Sequence, residues 1–309
     1  MPPRSPLPPR HGLDPAWLRT PSRVRGEPEP WSTMGAWLRA VLPPEAEVEL
    51  LLAERRFVYE DGGRLRADDP YRQHVFVWFH RVLRDEPEVP GELAVLHRDE
   101  RIVVADKPPF MSTIPRGRHV RQSVVVLLRD RLGLPELTPA HRLDRVTSGL
   151  LVLTTERRWR GAYQSLFQQR AVRKVYRAIA PLVPGLDLPV TVEDHLRKRH
   201  GSWQAEVVPG AAPNARTCIE LEEELPGGLG RYRLAPETGR THQLRMHLLG
   251  LGAPIVGDPL YPEIREVDVD DFRTPLQLLA SGLAFDDPVD GGPRRFASRR
   301  ALPLAGAAD

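Results

Sequence analysis

The chain has 309 residues, 41% hydrophobic and 28% charged, with a net charge of +3. That length fits one large domain or two medium ones, and the balance is that of a folded globular chain rather than a disordered one. A single cysteine, Cys218, excludes an internal disulfide and a cysteine-based zinc site, and no run approaches the roughly 18 apolar residues of a membrane-spanning helix.

The opening MPPRSPLPPRHG lacks the apolar core of a secretory signal, and a lone thiol fits a reducing compartment, so a cytoplasmic location is expected. Positive charge is almost wholly arginine, with lysine only at Lys107, Lys174 and Lys198. Arginine forks phosphate and stacks on bases, which fits a nucleic-acid partner. A compositional bias from a GC-rich genome is the plainer account of the same counts.

In chain order, residues 1–30 are rich in Pro and Arg without hydrophobic periodicity and read as a flexible arm. Residues 31–90 read as a small unit. Ser32 is placed to cap a short helix through Met34, Trp37, Leu38, Val41 and Leu42, and EVELLLAERRF predicts a second helix. Around Asp61-Gly62-Gly63 the pattern is strand, turn, strand, with HVFVWFHRV alternating. Two short helices before a small hairpin outline an RNA-binding module of the ribosomal-protein type. DEPEVPGE (85–92) reads as a linker.

From residue 91 to 309 the texture changes. ELAVLHRDERIVVADKP predicts two strands around a charged turn, QSVVVLLRDRLGL a helix, and GLLVLTTE a buried strand. RRWRGAYQSLFQQRA predicts an amphipathic helix with Tyr163, Leu166 and Phe167 inward. VRKVYRAIAP, WQAEVVPG, ARTCIELEEEL and GRYRLAPE follow as strands, and THQLRMHLLGLG as a helix closed by glycine. Strands dominate and do not alternate regularly with helices. The expected fold is therefore α+β: a mixed, largely antiparallel sheet with flanking helices, preceded by the small α+β module.

Two segments hold the polar residues that point to chemistry. In HRLDRVTSGLLVLTT, Asp144 precedes a turn and a buried strand, so a rigid element aims a loop carboxylate. Arg142 and Arg145 flank it and favour its ionised form, suited to a nucleophile or general base. A surface salt-bridge cluster explains the same spacing. In PETGRTHQLRMHLLGLG, Thr238 or Thr241 is placed to cap a helix on which His242 and Arg245, three apart, share a face. Arg240 lies at the helix start, where backbone N–H groups also favour phosphate. His242 and His247, five apart, do not share a face and have no acidic neighbour in sequence, so they read as structural rather than as metal ligands.

Four segments, in order, resemble the RluA-type pseudouridine synthases: VVADKPPFMSTIPRG (103–117), HRLDRVTSGLLVLTT (141–155), VRKVYRAIA (172–180) and ETGRTHQLRMHLLGLGAPIVGDPLY (237–261). The likeness spans residues 93–297. It implies a pseudouridine synthase catalytic domain at 91–309 that isomerises uridine within structured RNA, ribosomal or transfer, without metal or organic cofactor. The resemblance makes Asp144 the essential carboxylate, acting on the ribose at C1′ or at the C2′ proton. It pairs Arg245 with Asp144 and makes Tyr176 the ring that stacks on the flipped uracil. Arg142 is the residue that fills the space vacated in the RNA. His141, Lys107, Arg240, His242 and Gln243 are further candidates for binding RNA, with a structural salt bridge the alternative for Lys107. A monomer with no obligate protein partner is expected. One departure stands near the C-terminus, where Leu279 and Asp287 replace residues that are commonly histidine in the family. A glycosidase is the rival chemistry; it would need a second catalytic acid near Asp144, and none is obvious in sequence.

Overall fold

Thr33 opens the first helix. Its hydroxyl accepts the Ala36 N–H at 3.1 Å, one residue beyond the expected Ser32. The computed structural model describes residues 3–22 and 31–302, in two units, Met1–Asp85 and Glu86–Asp309.

In the first unit, helix α1 (Met34–Val41) buries Met34, Trp37 and Leu38, one stripe at i, i+3, i+4. Helix α2 (Val48–Ala53) buries Val48, Leu51 and Leu52 and stops sooner than expected; Arg55 sits at φ 50°, which ends the run. Strands β2 (Val58–Tyr59) and β3 (Phe76–Phe79) pair antiparallel.

The expectation of an unstructured arm over 1–30 fails at Ala16–Arg19, which forms strand β1 on the free side of β3 with Ala16 opposite Phe79. Ala16 and Leu18 pack on the core while Trp17 and Arg19 alternate outward. Four residues are too short for periodicity to stand out; the edge of β3 supplies the hydrogen bonds that fix them. Residues 1–2 and 23–30 of that arm lie outside the described residues.

The second unit is built on ten strands: β4 (Ala94–Arg98), β5 (Ile102–Lys107), β6 (Thr138–Pro139), β7 (Ser148–Thr154), β8 (Arg173–Pro181), β9 (Val190–Asp194), β12 (Ala215–Leu225), β13 (Leu229–Pro236), β14 (Leu278–Asp286) and β15 (Pro293–Ala297). A separate two-stranded hairpin joins β10 (Leu196–Arg197) to β11 (Glu206–Val207). The main path runs β4-β5-β7-β14-β8-β13-β12-β9, with β15 on β14 and β6 on β7. Only β7–β14 is parallel; the other pairs are antiparallel, the mixed α+β sheet that was expected.

Three helices cover the sheet: α3 (Val124–Leu132), α4 (Arg157–Gln168) and α5 (Gln243–Gly250). Along β5 and β7 the side chains alternate between two cores. Val103, Ala105, Leu151 and Leu153 meet α3 and α5, while Ile102, Val104, Leu150 and Val152 meet Tyr163 of α4. Burial on both faces is why GLLVLTT reads as an unbroken apolar run.

At Gly149 the sheet leaves no room for a side chain. Its φ is +107°, and a Cβ there would stand 2.3 Å from the carbonyl oxygen of Ala280 on β14. Asp287, one of the two departures, is a buried carboxylate that accepts the Tyr163 hydroxyl at 2.8 Å and pairs with Arg101 and Arg294 at 3.3 and 3.0 Å. It ties α4 to the β14–β15 turn. Leu279, the other, is buried on β14 opposite Ser148.

Candidate active site

Asp144 sits on the loop between β6 and β7, and both of its neighbours are pinned. Leu143 exchanges hydrogen bonds with Thr113: the hydroxyl donates to the Leu143 carbonyl at 2.9 Å and accepts its N–H at 3.2 Å. The carbonyl of Arg145 accepts from the ammonium of Lys107 at 3.1 Å. The Thr147 N–H donates to the Asp144 carbonyl at 3.1 Å and closes the turn into β7. The carboxylate itself is left partly open, 37% exposed.

Lys107 is not available to RNA. It is fully buried on β5, and its ammonium donates to the carbonyls of Pro108, Met111 and Arg145 at 2.9, 2.9 and 3.1 Å, which uses all three donors. Burial pushes its pKa well down, against the pull of Asp144. The expected salt bridge is absent among the described residues; carbonyl dipoles hold the group instead. Its strand is covered on both faces, so the Asp-Lys-Pro segment serves the loop scaffold.

Arg245 comes from the middle of α5 and is 2% exposed. It donates to Asp258 through Nε at 2.7 Å and Nη2 at 2.5 Å, and stands 3.5 Å from Asp144 Oδ2 through Nη1. Asp258 Oδ1 also accepts the N–H groups of Leu260 and Tyr261 at 2.8 and 3.1 Å. A bidentate pair of this kind leaves a guanidinium little freedom. The ring of Tyr261 lies 5.0 Å from the Arg245 guanidinium.

His242 occupies the N-terminal boundary of α5 at φ 59°, so neither Thr238 nor Thr241 caps the helix. The Thr238 hydroxyl donates to Gln243 Oε1 instead, at 2.7 Å. His242 faces Asp144 with Nε2 3.8 Å from Oδ2, and its Nδ1 meets the Tyr261 hydroxyl at 2.9 Å. Burial lowers its pKa to about 4, so the ring is neutral at pH 7. Tyr176 lies on β8 between Leu234 of β13 and Ala280 of β14. Burial raises its pKa, and the nearby charge of Asp144 adds to the rise.

Asp144, Tyr176, His242 and Arg245 thus converge, and the remaining expected residues separate from them. Arg142 is exposed and makes no ion pair among the described residues, whereas Arg145 turns to the carbonyls of Phe110 and Val269 at 3.3 and 3.1 Å. His141 stacks on Phe167 with ring centres 4.2 Å apart and accepts the Val152 N–H at 3.1 Å. Burial holds its pKa near 3. Gln243 is buried and saturated: its oxygen accepts from Thr238 and the Arg240 N–H, and its amide donates to Arg216 and Thr217. Arg240 is exposed and donates to the Asn214 carbonyl at 3.2 Å. His247 is buried, with Nδ1 2.9 Å from the Thr217 hydroxyl. No cluster of metal-ligating side chains occurs among the described residues.

Asp258, Tyr261 and Thr113 were missed. The segment GDPLY carried the first two, but nothing in its spacing reveals that Asp258 is the counter-ion of a residue thirteen positions upstream. Asp258 is also a second carboxylate near Asp144. Both its oxygens are taken by Arg245 and it is 2% exposed, so it is a poor general acid.

A sequence profile of the RNA pseudouridylate synthases matches residues 101–249. The dual-specificity RNA pseudouridine synthase RluA of Escherichia coli K12 is 32% identical over 217 residues, covering 68% of this chain and 94% of that protein. RNA pseudouridine synthase 7 of rice, Oryza sativa subsp. japonica, is 30% identical over 213 residues, or 64% of this chain. The chain spans 54% of the rice protein's length, and 60% of that of an RNA pseudouridine synthase from Synechocystis, to which it is 35% identical. Among solved structures, human RNA pseudouridylate synthase domain containing 1 superposes with a TM-score of 0.55 at 26% identity, covering 68% of this chain and 86% of that one. With 32% identity across nearly the whole of the Escherichia coli protein, and with the sheet and converging side chains described above, this chain belongs to the RluA-type RNA pseudouridine synthase family.

Proposed function

We propose that the chain isomerises uridine to pseudouridine within structured RNA. One observation carries this reading: Asp144 is the open carboxylate of the site, and the two groups that face it, the Arg245 guanidinium and the neutral His242 ring, are buried and held by other partners. Oδ2 is the nearer oxygen to both, at 3.5 and 3.8 Å. Oδ1 has no hydrogen-bond partner among the described residues, which suits a carboxylate that must meet a ribose.

The target nucleotide leaves its stack so that its sugar reaches Asp144. Asp144 attacks C1′ as the N1–C1′ bond breaks, or removes the C2′ proton so that uracil departs. The base turns, and carbon 5 bonds to C1′ as the Asp144 carboxylate leaves, or as Asp144 returns the proton to C2′. Carbon 5 then gives its proton to solvent and N1 takes one up. Tyr176 retains its phenolic proton because its pKa is raised, which favours stacking on the uracil over taking the carbon 5 proton. Arg142 fills the gap left in the RNA. Arg240, exposed like Arg142, is assigned to phosphate.

The reading names ribosomal RNA as the target, with transfer RNA, or both, as the second reading. The dual-specificity designation of the Escherichia coli relative favours that second reading. The first unit is assigned to holding RNA. Trp17 is 45% exposed beside Phe76, with ring centres 5.6 Å apart, and the Arg19 guanidinium lies 5.6 Å from the Phe76 ring. A monomer is proposed, and a single thiol suits the reducing cytoplasm.

The test is to incubate the chain with ribosomal and transfer RNA transcripts and map pseudouridine. Asp144→Asn is expected to fold with an unchanged melting temperature and to form none. Turnover by that variant, or release of free uracil by the unaltered chain, defeats the reading.

A further inference from the structure

The β10–β11 hairpin is the part of the second unit that the proposed reaction leaves unused. Its loop, residues 198–205, reads Lys-Arg-His-Gly-Ser-Trp-Gln-Ala. Trp203 is 74% exposed, the most exposed of the large hydrophobic side chains among the described residues. Burying an indole is favourable, and tryptophan is enriched where one face meets a partner, so its exposure is the feature to explain. The hairpin also carries Arg197, Lys198 and Arg199, three cations against one acidic residue, Glu206, which accepts from both arginines at 2.8 Å. Lys198 folds across the loop and donates to the carbonyls of Ser202 and Trp203, which fixes the backbone that carries the indole.

The hairpin is wired to the active site. Gln204 donates to the Leu260 carbonyl, and Ala205 brackets the Tyr261 hydroxyl with its N–H at 2.6 Å and its carbonyl at 3.4 Å. That hydroxyl meets His242, whose other nitrogen faces Asp144. Only Gln204 lies between Trp203 and Ala205, a Cα span of at most about 7 Å. Lys198 is also close enough for its charge to help depress the pKa of His242. The loop that carries the exposed ring is therefore tied by hydrogen bonds to the residues that face Asp144.

We propose that Trp203 is a stacking platform for a nucleobase flanking the target uridine, with Lys198 and Arg199 holding the adjoining phosphates. This rests on the RNA-modifying reading above. Flipping a uridine out breaks the stacks on both sides of it, and an aromatic face next to the cleft replaces one of them whatever the base, since every base has a π-face. Cations beside the ring add the backbone attraction that single-stranded segments require. A protein partner fits less well: the hairpin carries three cations beside its exposed ring, whereas charged residues are depleted at the core of a protein interface.

The test compares the full chain with Trp203→Ala and Trp203→Phe. Binding to a fluorescently labelled uridine-containing RNA stem-loop is measured by anisotropy, and pseudouridine formation by single turnover at saturating RNA. Trp203→Ala is expected to weaken binding about tenfold with the single-turnover rate unchanged; Trp203→Phe is expected to stay within about twofold of the native chain, because stacking needs a ring. Equal affinity for Trp203→Ala while the native chain converts uridine overturns the platform and leaves the isomerase reading standing. Weakened binding in a chain whose native form converts no uridine supports the platform and overturns the isomerase reading. A change of sedimentation in Trp203→Ala with RNA affinity intact assigns the ring to self-association and likewise overturns the proposal.

Discussion

Arg245 gives its short hydrogen bonds to Asp258, at 2.7 and 2.5 Å, and reaches Asp144 only at 3.5 Å. The guanidinium is thus anchored by one carboxylate and lent to another. A buried cation needs a permanent partner, and Asp258 supplies it even when Asp144 is engaged elsewhere. Asp144 is left with no short hydrogen bond to its carboxylate among the described residues, its nearest cation nitrogen standing 3.5 Å from Oδ2.

Removing the anchor tests this division. Asp258→Leu leaves the Arg245 charge buried and half-paired, and is expected to cost about 3–5 kcal/mol of stability in denaturant unfolding. Arg245→Met added to it is expected to restore most of that loss, because two apolar groups replace a broken pair. Activity is expected to stay abolished in the double variant and in Arg245→Ala. A double variant no more stable than Asp258→Leu, or full activity in Arg245→Ala, contradicts the assignment.

Arg142 is the exposed arginine of the motif, two residues from Asp144. Arg142→Ala is expected to leave the melting temperature within about 2 °C, as for a surface change, and to slow conversion of a structured RNA by an order of magnitude or more. Single-turnover kinetics on a stem-loop check it. Unchanged rates remove Arg142 from the handling of the flipped nucleotide.

Gly149 and Gly161 make a matched pair. Gly149→Ala places a Cβ 2.3 Å from the Ala280 carbonyl oxygen at φ +107° and is expected to destabilise by more than about 2 kcal/mol. Gly161 lies in α4 with nothing within 4 Å, so Gly161→Ala is expected to stabilise by about 0.5–1 kcal/mol. Thermal melts of the two variants are expected to move in opposite directions.

Two buried histidines link stability to acid. His141 and His242 have pKa values lowered by burial to about 3 and about 4, against 6.5 in the unfolded chain. Between those values the unfolded chain binds more protons than the folded one. Their contribution is complete above pH 6.5, declines as pH falls below it, and is gone near pH 4 for His242 and near pH 3 for His141. Unfolding free energies at pH 4.5–6.5 are expected to fall less steeply with acid in His141→Asn and His242→Gln than in the native chain. Equal slopes mean that these rings are not held neutral.

Local sequence carried most of the elements. The stripe at Met34, Trp37 and Leu38, the alternation in β13 and the unbroken run of β7 are each short-range patterns with one physical reading. The strand at Ala16–Arg19 escaped because its order comes from the edge of β3, nearly sixty residues away. Asp144, Tyr176 and Arg245 were found through motifs whose residue types and spacing resemble a family, since the spacing around Asp144 by itself favoured a surface salt-bridge cluster.

Burial and partnership had to wait for the tertiary structure. Lys107 and Gln243 look like free polar groups along the chain. Strand β5, covered on both faces, and the threonines and backbone around Gln243 consume every donor they have. Asp258 looks like an ordinary loop aspartate until α5 brings Arg245 against it. A sequence states which groups are able to ionise or bond. Which of them are desolvated, and against what, depends on contacts between distant segments, and in this chain that separates the scaffold from the open carboxylate of Asp144.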